Sequence, residues 1–269
     1  MDLHGRRVIV TGTSEGSLGY ETARALATWG AEVVVTRRSG AEAIAQQLAS
    51  ASGGRVEGRD LDLGSTASVR DFVAWYEREH GARLDVLINN AGIHLDLMSD
   101  WKEPHLSPDG FELQWRTNYL GPFQLTLGLL PALRATAAEK GDARVVNVAS
   151  QLHRKATNAD LFTPHTPYDS WVAYGASKLA MVHMAFELER RFAGEGLHGY
   201  VLHPARCSRT WRTPAWLAMP RSPACAAGSL RWSGSSCSRP AKARPPACTA
   251  PRLPGCRVAS TSPPVRRVA

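Results

Sequence analysis

Short apolar runs of strand length alternate with helix-length stretches along the first 204 residues of this 269-residue chain. RVIVT (7–11) runs into glycines and then ETARALATWG, and EVVVT (32–36) precedes AEAIAQQLAS. RVEGRDLD leads into SVRDFVAWYEREH, where Val69, Phe72, Val73 and Tyr76 share one helical face. LDVLINN (84–90) is nearly all apolar, and a long helix is predicted from about Pro108 to Ala138. The strand ARVVNVAS, a loop, the helix AYGASKLAMVHMAFELERRF and the strand GYVLH complete the pattern. Strands that are apolar throughout belong in a sheet covered on both faces. Repeated strand–helix–strand units with right-handed crossovers give an α/β fold, a doubly wound parallel sheet of Rossmann-like type.

The pattern ends in HPARCSRTWRTPAW (203–216). Beyond Pro204, Asp, Glu, Asn, Gln, Ile, Phe, Tyr and His are absent, and all five cysteines (Cys207, Cys225, Cys237, Cys248, Cys256) fall there. The net charge of +8 divides in the same way: 1–204 carries −4, and 205–269 carries +12 with no acid. The basic balance therefore belongs to the tail, and it makes nucleic acid an unconvincing partner for the body. The chain is divided accordingly into a body, 1–204, and an Arg/Pro/Ser/Cys-rich tail, 205–269, expected to be disordered or poorly packed. No C-x-x-C pair and no H-x-x-x-H pair with a third ligand occurs, so no metal site is expected. No stretch approaches the roughly 20 apolar residues of a membrane span, and no leader is evident, so a cytoplasmic location is expected.

Chemistry concentrates at strand ends. TGTSEGSLGYETA places Gly12, Gly16 and Gly19 between a strand and a helix, where backbone N–H groups can hold a pyrophosphate. Asp62 follows the third strand, placed to accept from an adenine amino group. LINNAG ends the fourth strand in small and polar residues, Asn89, Ala91 and Gly92 among them, that can pass under a cofactor. Arg37 and Arg38 end the second strand, and two guanidiniums there suit a 2′-phosphate, favouring NADP(H), with NAD as the alternative. Tyr174 and Lys178, four residues apart in YGASK, share a helical face. Hydride transfer to a carbonyl leaves an alkoxide that needs a proton, and a tyrosine with its pKa lowered by a nearby ammonium can supply it.

With these motifs, and with GYETARALA, TNYLGPFQLT and PYDSWVAYGASKLA, residues 5–204 resemble the short-chain dehydrogenase/reductase superfamily. Within it they are most similar to the retinol dehydrogenase and WW-domain oxidoreductase branch. The resemblance implies that Ser150 hydrogen-bonds the substrate oxygen, that Asn118 anchors a relay water, and that Lys178 also holds the nicotinamide ribose. It implies a small apolar alcohol or carbonyl as substrate and leaves room for self-association. Two departures stand out: Ser17 and Leu18 make the glycine loop one residue longer than usual, and Glu15 replaces a residue often basic in NADP enzymes. His153 and Trp101, Trp115 and Trp171 are placed near the cleft or in ordinary packing.

The branch continues after its sixth strand with a pattern like HPG-x-V-x-T-x-L, where this chain has His203, Pro204, Ala205 and Arg206. If one G is missing after the codon of Pro204, the bases GCG CGG TGC AGC CGG ACC TGG CGG AC become Gly-Ala-Val-Gln-Pro-Asp-Leu-Ala-Asp. The family pattern then returns, except for Pro in place of Thr. A shifted reading frame would remove the last strand and the segment that caps the substrate site. Two functions stay open: an NADP(H)-dependent oxidoreductase, and a non-enzyme, either a damaged product or a cofactor-binding body with a basic arm.

Overall fold

The computed structural model describes residues 1–94, 103–163 and 166–204. Six strands form one parallel sheet in the order β3-β2-β1-β4-β5-β6. They are β1 (Arg7–Thr11), β2 (Glu32–Arg37), β3 (Arg55–Asp60), β4 (Val86–Asn89), β5 (Ala143–Val148) and β6 (Leu197–Leu202). Helices α1 (Leu18–Thr28), α2 (Ala41–Ser52) and α3 (Thr66–His80) make the early crossovers. The short α4 (Leu113–Trp115), a π-helical turn (Arg116–Leu120) and α5 (Gly121–Lys140) run together, and α6 (Ser170–Phe192) precedes β6. The strand order reverses between β1 and β4, which opens a crevice at their carboxyl ends.

Alternation along the central strands feeds two cores. Ile9, Val34, Leu87 and Val145 pack with Phe72, Leu125 and Met181 on the α3/α5/α6 side. Val8, Val10, Val33 and Val35 pack with Ala23, Ala27, Ile44 and Leu48 under α1 and α2. The opposite, amino-terminal end of the sheet is held by one carboxylate. Asp85 is fully buried and accepts from Lys140 Nζ at 2.8 Å, Arg7 N at 2.9 Å and Arg6 Nη1 at 3.1 Å. Burial pushes its pKa up, but Lys140, the Arg7 amide and Arg6 together hold it below the usual carboxylate range.

The doubly wound α/β fold expected for the body is the one observed. The long helix after the fourth strand starts later than its apolar pattern suggests. Residues 107–110 form a turn closed by Gly110 N donating to Ser107 O at 2.9 Å, with Gly110 at φ +81°. Asp109 in that turn accepts from Thr66 N at 2.9 Å and from the buried Arg116 Nε at 3.0 Å. A side chain spent on capping α3 cannot also begin a helix of its own. The expectations for residues 205–269, a missing last strand and cap segment included, lie outside the described residues, as does Trp101.

Candidate active site

The glycine loop turns tightly because two backbones must nearly touch. Gly12 has φ +74°, and a Cβ there would stand 2.7 Å from Ala91 Cα. Gly19 lies inside α1, and a Cβ there would collide with Gly12 O. Gly16, at φ +70°, faces open space. The additional loop residue is absorbed at the helix start: Ser17 is the N-cap of α1, its Oγ accepting from Tyr20 N at 3.1 Å and donating to Gly12 O at 3.3 Å. Asn90 fastens the end of β4 to this loop, donating through Nδ2 to Thr11 O at 2.8 Å and Gly12 O at 3.1 Å.

The remaining cofactor candidates divide into two groups. Arg37 is half-buried and Arg38 exposed at the end of β2, and neither guanidinium has a hydrogen bond or ion pair among the described residues. Asp62 spends one carboxylate oxygen on Gly64 N at 2.8 Å. Gly92 borders Lys178, whose Nζ would lie 3.0 Å from a Cβ at that position. Asn89 departs from expectation: it is fully buried and donates to Thr126 Oγ1 at 3.1 Å and Asn147 Oδ1 at 2.9 Å. Its side chain braces β4 to α5 and β5, and Asn90 lines the cleft in its place.

The catalytic candidates converge beside that loop. Asp169 caps α6 by accepting from Trp171 N at 2.8 Å and Val172 N at 3.2 Å, which fixes the turn that carries Tyr174. Ser150 follows β5. Tyr174, Lys178, Ser150, Gly92 and Leu18 line one cleft of about 450 Å³. Asn118 sits in the π-helical turn, fully buried. Its Oδ1 accepts from Ile93 N at 2.7 Å, and its Nδ2 donates to Ile93 O at 2.9 Å and Ser177 Oγ at 3.1 Å. Both side-chain N–H groups are thus committed, leaving one lone pair of Oδ1 for a water.

The expected lowering of the Tyr174 pKa is not found. Burial raises it, and the Ser150 hydroxyl offsets that only in part. The ammonium is turned elsewhere: Lys178 Nζ donates to Val148 O at 3.0 Å and lies 5.7 Å from the Tyr174 ring centroid. Burial lowers the Lys178 pKa to about 8. Two residues not singled out from the sequence complete the site: Ser177, whose Oγ donates to Tyr174 O at 2.7 Å, and His94, which lines the cleft. His153 stays beside Ser150, Nδ1 lying 2.6 Å from its carbonyl oxygen. Trp115 packs on Tyr119, and Trp171 on His94.

A sequence model of the family described as short chain dehydrogenase matches residues 6–216. The chain belongs to this family. A "Probable oxidoreductase" of Streptomyces antibioticus is 46% identical over 210 residues, 76% of this chain and 65% of that protein. Human "Retinol dehydrogenase 13" is 37% identical over 206 residues, 74% of this chain and 58% of that protein. The chain spans about three fifths of the length of these curated relatives. Among solved structures, the Pseudomonas aeruginosa RhlG/NADP active-site complex is 31% identical with a TM-score of 0.61, covering 76% of this chain and 74% of that one. These likenesses place the chain near the retinol dehydrogenase branch of the short-chain dehydrogenases.

Proposed function

We propose that this short-chain dehydrogenase is an NADP(H)-dependent oxidoreductase that interconverts a small apolar alcohol and its carbonyl. The observation that carries the reading is the meeting of Ser150, Tyr174 and Lys178 in one cleft with the glycine-bounded end of β4. The site fits a dinucleotide, because Gly12 and Gly92 stand where a Cβ would crowd Ala91 and Lys178. Arg37 and Arg38, both uncommitted, would hold the 2′-phosphate, and the related RhlG structure is an NADP complex. When bound, the cofactor supplies or accepts the hydride.

The chain's own part is proton handling and orientation. Tyr174 gives its phenolic proton to the substrate oxygen as negative charge builds on it, and Ser150 donates a hydrogen bond to that same oxygen. Lys178 carries its proton at pH 7, since its pKa is about 8. Released from Val148 O, it would hold the cofactor ribose and favour the phenolate. Asn118 fixes Ile93 and so the wall of the cleft. Leu18 and Ile93 make that wall apolar, which suits the apolar substrates named for the retinol dehydrogenases.

The test is NADPH-dependent reduction of a panel of apolar aldehydes and ketones by the chain and by Tyr174→Phe. The substitution should cost about 10²–10⁴-fold in turnover, the usual contribution of general acid–base catalysis. Turnover untouched by Tyr174→Phe would overturn the assignment. A second reading, a cofactor-binding protein without turnover, is favoured by the abrupt change of composition after Pro204. On that reading NADPH binds, seen as fluorescence quenching, and no substrate is reduced. We propose further that 205–269 is read out of frame. Sequencing the DNA around codon 205 tests this, and an intact frame there would refute it. Self-association is supported by Phe123 and Leu127 on α5 and Phe186 on α6, all exposed, and sedimentation equilibrium would detect it.

A further inference from the structure

His94 follows the NNAG segment and has no part in the proton transfer described above, yet it lies against the proton donor. Its ring centroid is 4.5 Å from that of Tyr174 at an interplanar angle of 39°, and 4.4 Å from that of Trp171, edge-on at 78°. Lys155 lies 5.6 Å over the Trp171 ring, and Lys178 lies 5.7 Å over the Tyr174 ring. The result is a ladder, Lys155–Trp171–His94–Tyr174–Lys178, with a titratable imidazole in its middle. An imidazolium beside an aromatic face is attracted to the ring and favours negative charge building on the phenol.

We propose that His94 is a positioning residue for Tyr174, whose ring wedges the phenol over the cleft and whose protonation is felt by the phenol. This deepens the oxidoreductase reading and takes its meaning for turnover from it. The contact itself is a property of the protein alone. Among the described residues, the titratable or charged groups on the elements packed around this ring are few. In the first turns of α6 they are Asp169 at the N-cap, Tyr174 and Lys178, and on the turn after Ser150 they are His153, Arg154 and Lys155. Asn90 and Gly92, on the β4 side, are uncharged. Protonation of His94 therefore puts a third cation on the ladder, at the position nearest the phenol ring.

The test needs no activity. The full chain is labelled with 13C at tyrosine Cζ, and the Tyr174 resonance is assigned by its loss in Tyr174→Phe. Between about pH 5 and 7, below the range in which Lys178 titrates, this resonance should show a titration step. His94→Phe keeps an aromatic wedge and His94→Gln keeps a polar one, and both should abolish the step. His153→Gln should leave it in place. A flat Tyr174 resonance in the unaltered chain would overturn the proposal, as would a step that survives both His94 substitutions. Failure to bind NADPH or to reduce a carbonyl would count against the oxidoreductase reading and leave this titration unchanged, so the two fail separately.

Discussion

Lys178 is held at a cost to the fold, and Lys178→Met should reveal it. The side chain is almost wholly buried and has one hydrogen bond, to Val148 O. A fall of its pKa from 10.5 to about 8 corresponds to about 3 kcal/mol of destabilisation when the amine is charged in both states. Methionine fills a similar volume without charge, but leaves Val148 O without its partner, a loss of about 1–2 kcal/mol. The ligand-free variant should then be about 1–2 kcal/mol more stable at pH 7. For a domain of this size that is a rise of about 2–8 °C in Tm. The gain should depend on pH in one sense. Below pH 8 the native and unfolded lysines are both protonated and the penalty is complete. Between about 8 and 10.5 the native lysine sheds its proton first, so the penalty shrinks, and above 10.5 it is gone. Thermal melts of both proteins from pH 7 to pH 10 should therefore converge and cross at about pH 9–10, where the lost bond to Val148 O outweighs what remains of the penalty. A variant no more stable than the parent at pH 7, or a gap that stays constant across that range, would refute the reasoning.

Replacing Arg37 and Arg38 together by Ala should remove most of any preference for NADPH over NADH, at about 1.5–3 kcal/mol for each charge-assisted hydrogen bond to the 2′-phosphate. Comparing cofactor dissociation constants checks this, and equal affinities in the parent would exclude the assignment. Asp85→Asn should destabilise the fold by about 3 kcal/mol at pH 7, because Lys140 and Arg6 lose a fully buried counter-charge. The parent carboxylate has a lowered pKa, so its contribution is complete above the unfolded value of 3.8 and is lost as pH falls through the folded one. Urea melts at pH 7 and pH 3.5 should show the gap narrowing at the lower pH.

The sheet is legible in the sequence because β1, β2 and β4 are largely apolar runs and the helices are not, whereas β3, RVEGRD, shows no such run. RVIVT and EVVVT mark β1 and β2 almost to the residue. Ser150, Tyr174 and Lys178 are legible because each falls at a fixed place on a strand end or helix turn. What cannot be read there depends on contacts distant in sequence. Asn89 and Asn90 are adjacent and identical, yet only pairing with Thr126 and Asn147 turns the first into the core. The turn at 107–110 exists because Asp109 reaches Thr66, 43 residues earlier. The raised pKa of Tyr174 reflects burial, which the Ser150 hydroxyl offsets only in part, and four-residue spacing alone does not show that the Lys178 ammonium is turned to Val148 O. His94 belongs to no periodic pattern, and only the approach of α6 gives it meaning.

The Asp85 cluster and the cleft lie at opposite ends of the same parallel strands. One end holds the molecule together, and the other carries what it does. Loops at the carboxyl ends can therefore change without disturbing the anchor, and the anchor can be strengthened without reshaping the cleft. Substitutions far apart with no shared partners combine nearly additively. For this chain that separation is a practical asset: reinforcement around Arg6, Asp85 and Lys140 creates tolerance for destabilising changes around Leu18, Ile93 and His94. Directed evolution of a new substrate preference would best begin with such a reinforced parent.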